Sequence, residues 1–166
     1  MHSADMLSLA EYNRWANERI YRRAAHLEPA DLHSAHGQTH RTIYGCLLHL
    51  ADAQWFWRVL CETGQTPGQE LKPDDFASLD DLRAFAREED ERLVRFATTL
   101  TDAQLNRPHT YGWPRAKPRS QVLWKLLFHL FNHGTQHRAE IGLRLGDLGR
   151  SPGSLDFVVY ASRQRS

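Results

Sequence analysis

Four long stretches of this chain repeat apolar residues at helical spacing, and clusters of proline and glycine separate them. From about Ser3 to Leu27, Met6, Leu9, Trp15, Ala16, Ile20 and Ala24 form the stripe, with Ser3 as N-cap and Pro29 just beyond the end. From about Thr39 to Glu62 the stripe is Ile43, Cys46, Leu47, Leu50, Trp57 and Leu60, and Gly64 closes it. From about Leu79 to Leu100 it is Leu82, Phe85, Ala86, Leu93, Phe96 and Leu100, opened by Ser78 with Asp81 replacing the usual Glu of a capping box. The fourth stretch starts near Ser120, after Pro118, and runs to Leu145 with Gly146 as its stop. No segment reads strongly as a strand. Four one-sided helices bury their stripes only against each other, which predicts an all-α four-helix bundle, a single domain over residues 1–166.

The remaining segments are connections. Thr101 to Gln104 starts a short turn of helix, and Arg107 to Arg119, with Pro108, Pro114 and Pro118, reads as an ordered loop or short extended stretch. Leu155 to Tyr160 is apolar enough to dock on the body as a tail.

Composition excludes several classes of function. Basic and acidic residues number 21 and 20, so no basic face points to a nucleic-acid partner. The densest apolar run, Leu123 to Phe131, is broken by Trp124, Lys125 and His129, so no membrane span is expected. Met1 to Asp5 shows no basic region leading into an apolar one, so no signal peptide is expected. The two cysteines, Cys46 and Cys61, fall on one helix at a separation of roughly 22 Å, too far to bridge. Neither belongs to a CxxC pair, and a reducing, cytoplasmic setting is expected.

The unusual feature is histidine, with 10 residues. His129, His133 and His137 follow one another at i, i+4 steps and share one face of the fourth helix, beside Leu126, Leu130 and Ile141. A lone histidine on such a face is ordinarily a hydrogen-bonded structural residue, but three in a row along an inward edge demand more partners than packing supplies. Ligands of one metal ion lie within about 4 Å of one another. The ends of this row, His129 and His137, stand about 12 Å apart along the axis, so one ion takes His133 and one neighbour. Periodicity treats His129 and His137 alike. Depth favours His137, because His49 lies near the middle of the second helix as His133 and His137 do in the fourth. His36 and His40 sit at the entrance of the second helix, and His2, His26, His33 and His109 look terminal or loop-bound.

The stretch Asn132-His133-Gly134-Thr135-Gln136-His137-Arg138 resembles the NHxxxHR signature of the DinB/YfiT-like metalloenzyme family, which is unrelated to the lesion-bypass polymerase sharing that name. His49-Leu50-Ala51-Asp52 followed by Trp57, the opening Tyr12-Asn13-Arg14-Trp15-Ala16-Asn17, and the closing Gly149 to Gly153 with Leu155-Asp156-Phe157 are similar to that family's other motifs. The resemblance covers nearly the whole chain. It implies an up-down-down-up bundle and a divalent metal ion held by His49, His133 and His137, with His129 a neighbour. It also implies a homodimer. The family often has Gly-Gln after the His-Arg pair, where this chain has Ala139-Glu140, which adds a charge near the site.

Three neutral imidazoles leave an ion its full double charge, which suits activation of water or of a thiol. Zinc, nickel and iron all accept such donors. The resemblance implies a small-molecule substrate and a low-molecular-weight thiol such as bacillithiol, mycothiol or glutathione, in detoxification or stress response. Arg138 is among the many arginines able to hold a thiol's carboxylates. The other reading is a metal-binding stress-response protein without turnover.

Overall fold

The computed structural model describes residues 1–35, 42–113 and 115–164. Its elements are α1 (Ser3–Ala24), α2 (Pro29–His33), α3 (Ile43–Thr63), a 3-10 turn (Pro73–Asp75), α4 (Leu79–Thr99), α5 (Asp102–Leu105), the strands β1 (Pro108–Tyr111) and β2 (Arg119–Val122), α6 (Leu123–Asp147) and α7 (Phe157–Arg163). The four long helices α1, α3, α4 and α6 form the bundle.

Two apolar layers fix the direction of each long helix. One layer joins Ile20 and Ala24 near the end of α1, Ile43 and Leu47 at the start of α3, Leu82 and Ala86 at the start of α4, and Ile141 and Leu145 near the end of α6. The other joins Met6 and Ala10, Leu60 and Cys61, Leu93 and Ala97, and Leu123 to Leu130 from the opposite ends of the same helices. Hence α1 and α6 run one way while α3 and α4 run the other, an up-down-down-up bundle. Burial of these layers drives assembly, at roughly 1.5–3 kcal/mol for each large side chain. The parallel step from α3 to α4 needs a return along the bundle, and Asp52 on α3 pins it by accepting the Leu71 backbone N–H at 2.9 Å.

Between the layers lies a polar one. Asn13 and Asn17 of α1, Gln54 of α3, Asp90 of α4 and Arg138 of α6 are all buried. Asp90 Oδ1 accepts from Asn13, Asn17 and Gln54 at 3.2, 2.9 and 2.9 Å. Arg138 Nη1 donates to the side-chain oxygens of Asn13 and Asn17 at 2.6 and 2.9 Å. A buried cation and a buried anion are thus joined through two amides, each group satisfied, which is the condition for burying charge without a large penalty.

The helix ends follow their capping chemistry. Thr42 accepts from Gly45 N at 2.9 Å to open α3, and Ser78 accepts from Asp81 N at 3.2 Å to open α4. Gly64 ends α3 at φ 75°, a conformation that favours glycine. His2, rather than Ser3, precedes the first turn of α1, because Asp102 accepts both the Ser3 N–H at 2.7 Å and the His2 ring at 2.8 Å. These bonds, that to His2 first, hold the Asp102 carboxyl down at about 2.

Further boundaries differ from the sequence expectation. Pro29 occupies the first turn of α2 instead of merely following α1, since its missing N–H costs nothing there. The fourth helix begins at Leu123 because residues 119–122 pair antiparallel with residues 108–111, Tyr111 opposite Arg119. These strands lack apolar alternation. The hairpin is held by its ladder and by docking on the end of α3, where His109 Nε2 donates to Leu60 O at 3.0 Å and Gly112 N donates to Gly64 O at 3.2 Å. Gly146 lies inside the last turn of α6. The stop is Gly149 at φ 69°, with Gly149 N to Gly146 O at 2.9 Å and Arg150 N to Leu145 O at 2.7 Å. The expected start of the second helix at Thr39 lies outside the described residues, as do His36 and His40. The tail docks as α7, with Tyr160 buried and its ring 5.8 Å from that of Tyr12. Among the described residues no helix is long and apolar enough to cross a membrane.

Candidate metal centre

The antiparallel packing of α3 on α6 brings the middles of the two helices to the same depth. His49 thereby meets His133 and His137, with ring centroids 5.4 and 4.6 Å away, and His133 and His137 are 4.4 Å apart. One nitrogen from each of the three lies within 4.8 Å of the others. A tetrahedral ion about 2 Å from each nitrogen draws them to about 3.4 Å. Side-chain rotation would have to close that gap. This is the one group of three or more such ligand residues among the described residues.

The environment keeps His133 neutral. Desolvation, then the neighbouring His137, His49 and His129, push His133 down to about 4, against a smaller upward pull from Glu140. At neutral pH its lone pair is free to bind a cation. His137 is 6% exposed, and its Nδ1 lies 2.8 Å from Glu140 Oε2, one turn along α6. Hydrogen-bonded in this way, Nδ1 is occupied and Nε2 is left as the donor. His49 and His133 are half-buried, so the triad borders the surface. Three nitrogen donors with solvent at hand suit a borderline divalent ion that keeps coordination positions for other ligands. The donor set fits such an ion.

His129 does not join the triad. Its exposed ring packs against Trp57 with centroids 4.4 Å apart and stacks 5.7 Å from His133. His109 is in β1, occupied with the carbonyl of Leu60, and His33 of α2 packs its ring 4.9 Å from that of Tyr44. His2 is engaged by Asp102.

Arg138, one of the many arginines the sequence offers for a thiol's carboxylates, has a structural role here. Arg138 is 2% exposed and spends its donors on Asn13, Asn17 and, at 3.0 Å, Thr135. These bonds make it a strut of the bundle. The sequence reading also missed the network Arg138 belongs to. Its signal was present: Asn13 and Asn17 fall on the buried side of α1, and Asp90 falls in line with Leu82, Ala86 and Leu93 on α4. Gly134 belongs to the same feature, because a Cβ there would stand 2.9 Å from Arg138 Nη1.

The cysteines are set apart from the centre. Both are buried and outside any disulfide, one in each apolar layer, and burial pushes the Cys61 thiol up to about 12. A thiol held protonated in this way is unreactive.

The model of the DinB family matches residues 1–165 of the chain. Protein DinB of Bacillus subtilis (strain 168) is 26% identical over 158 residues, covering 92% of this chain and 91% of that protein. Two solved structures from Bacillus subtilis share the fold. The DinB-like protein YjoA superposes with a TM-score of 0.63 at 15% identity, over 85% of this chain and 91% of that one. YfiT, described as a probable metal-dependent hydrolase with an unusual four-helix bundle topology, superposes with a TM-score of 0.61 at 17% identity, over 83% and 86%.

Proposed function

The chain belongs to the DinB family, and on that premise we propose that it is a metal-dependent enzyme in which His49, His133 and His137 hold one divalent cation, zinc, nickel or iron, and act on a small-molecule substrate. The observation that carries this reading is the convergence of three imidazole nitrogens within 4.8 Å at the seam of two antiparallel helices. When bound, such an ion supplies Lewis acidity that ionises a coordinated water or thiol near neutral pH. Three protein ligands favour catalysis over a structural role, since structural zinc is normally closed by four.

The protein's own residues supply the setting. His133 stays neutral under the desolvation and neighbouring imidazoles that lower its pKa to about 4. Trp57 and His129 build an aromatic wall one turn from His133. Neither cysteine belongs to the triad and the Cys61 thiol is held protonated, so in this reading the attacking group comes from solution as water or a low-molecular-weight thiol. The description of YfiT as a probable metal-dependent hydrolase supports water.

The test uses protein stripped by a chelator and reloaded with zinc, nickel or ferrous iron. Esters, amides and carbon electrophiles are offered with water alone or with bacillithiol, mycothiol or glutathione. The reading expects turnover that requires metal and disappears in His133→Ala. Equal rates with and without metal across the panel contradict it, and tight metal binding without turnover would leave a non-catalytic metal-binding protein.

A further inference from the structure

We propose that Glu140 is a positioning residue for the metal centre, fixing His137 in the tautomer that offers Nε2 to a cation. The inference rests on the metal reading above and concerns how one ligand is made ready before metal arrives. A neutral imidazole carries its proton on either Nδ1 or Nε2, and a nitrogen that bears hydrogen is no ligand. In water the Nε2–H form is favoured, which is the wrong form for an Nε2 ligand.

At His137 the protein reverses that preference. Glu140 Oε2 lies 2.8 Å from Nδ1, a distance at which the carboxylate accepts the Nδ1 proton's hydrogen bond. The His137 side chain is 8% exposed, so water does not compete freely for it. The other carboxylate oxygen, Oε1, accepts from Gln136 Nε2 at 3.5 Å, so Glu140 is itself steadied from one turn back. Gln136, His137 and Glu140 thus form a short relay along α6, ending on a ligand candidate. A carboxylate behind a ligating histidine also makes the ring a stronger donor. The side chain of Glu140 is 39% exposed, so its removal does not open a core cavity.

The experiment reads the tautomer and the affinity separately, at one fixed pH. Metal-free protein labelled with 15N-histidine is examined by long-range 1H–15N correlation, with His137→Ala to assign the signal. Zinc is then titrated calorimetrically. Wild type should show His137 as Nδ1–H. Glu140→Ala should move His137 toward Nε2–H and weaken zinc binding about tenfold to a hundredfold. Glu140→Gln, whose amide oxygen still accepts from Nδ1–H, should keep the tautomer and bind zinc within a few-fold of wild type. The inference is overturned if Glu140→Ala keeps the Nδ1–H form or binds zinc as tightly as wild type while His137→Ala does not. Wild type that binds no zinc contradicts the metal reading itself, and the role of Glu140 with it.

Discussion

His49 of α3 and His137 of α6 meet edge to face, with ring centroids 4.6 Å apart and planes at 87°. Their helices are joined only through the rest of the chain, so this contact exists because α3 and α6 run antiparallel at matched depth. It is the relationship that separates ligand candidates from other histidines on the same stripe.

That separation is measurable. His137→Ala removes a ring from the triad and should weaken zinc binding by orders of magnitude. His129→Ala removes a ring that packs on Trp57 and stacks on His133, and should change zinc affinity by at most about a hundredfold. Calorimetric titration of both variants decides it. Loss of binding in His129→Ala alone would move the centre one turn toward the start of α6.

Arg138 should matter for stability. Arg138→Met leaves the side-chain oxygens of Asn13 and Asn17 without their donor and removes the stronger of two cationic charges acting on the buried Asp90, the other being Arg14. Removing one partner of a buried charge pair costs about 3–5 kcal/mol. Urea unfolding of metal-free protein checks this, and a loss below about 1 kcal/mol would contradict the role as a strut.

Asp90 gives stability a distinct pH dependence. Burial, opposed by hydrogen bonds from Gln54 and Asn17 and by the charge of Arg138, raises its carboxyl from 3.8 to about 6. Between these values the folded protein holds more protons at this position than the unfolded chain does. The Asp90 contribution to stability is therefore fully present below 3.8 and is lost as pH rises through about 6. Asp90→Asn keeps an oxygen acceptor for the amide donors and does not titrate. The stability of wild type relative to Asp90→Asn should fall across that window, measured by urea unfolding at several pH values. A constant or rising difference would contradict this.

Gly64 ties helix to hairpin. At φ 75° a Cβ is strained, and it would stand 2.8 Å from Thr110 O of β1. Gly64→Ala should cost more than about 1 kcal/mol, and amide exchange in residues 108–111 should accelerate. Unchanged exchange in β1 would contradict the docking.

Much of this was legible in the sequence because period and position carry it. Apolar spacing gave the four long helices, and the i, i+4 row with the depth of His49 gave the three histidines that the fold brings together. The hairpin was not legible as strands. Residues such as Arg119, Ser120 and Gln121 have no apolar face, and antiparallel backbone pairing with β1, which itself docks on the end of α3, holds them. Arg138 was visible, but its two amide partners lie on another helix, and nothing in the spacing says that Asn13 and Asn17 face it. Glu140 stood out as a charge, whereas its bond to His137 depends on rotamers across one turn.

Zinc stoichiometry tests the central claim most directly. Metal-free wild type and the His49→Ala, His133→Ala, His137→Ala triple variant are titrated with zinc in a calorimeter at known chain concentration. The account predicts one tight site per wild-type chain and none in the triple variant. No tight site in wild type, or the same site in both proteins, would contradict it.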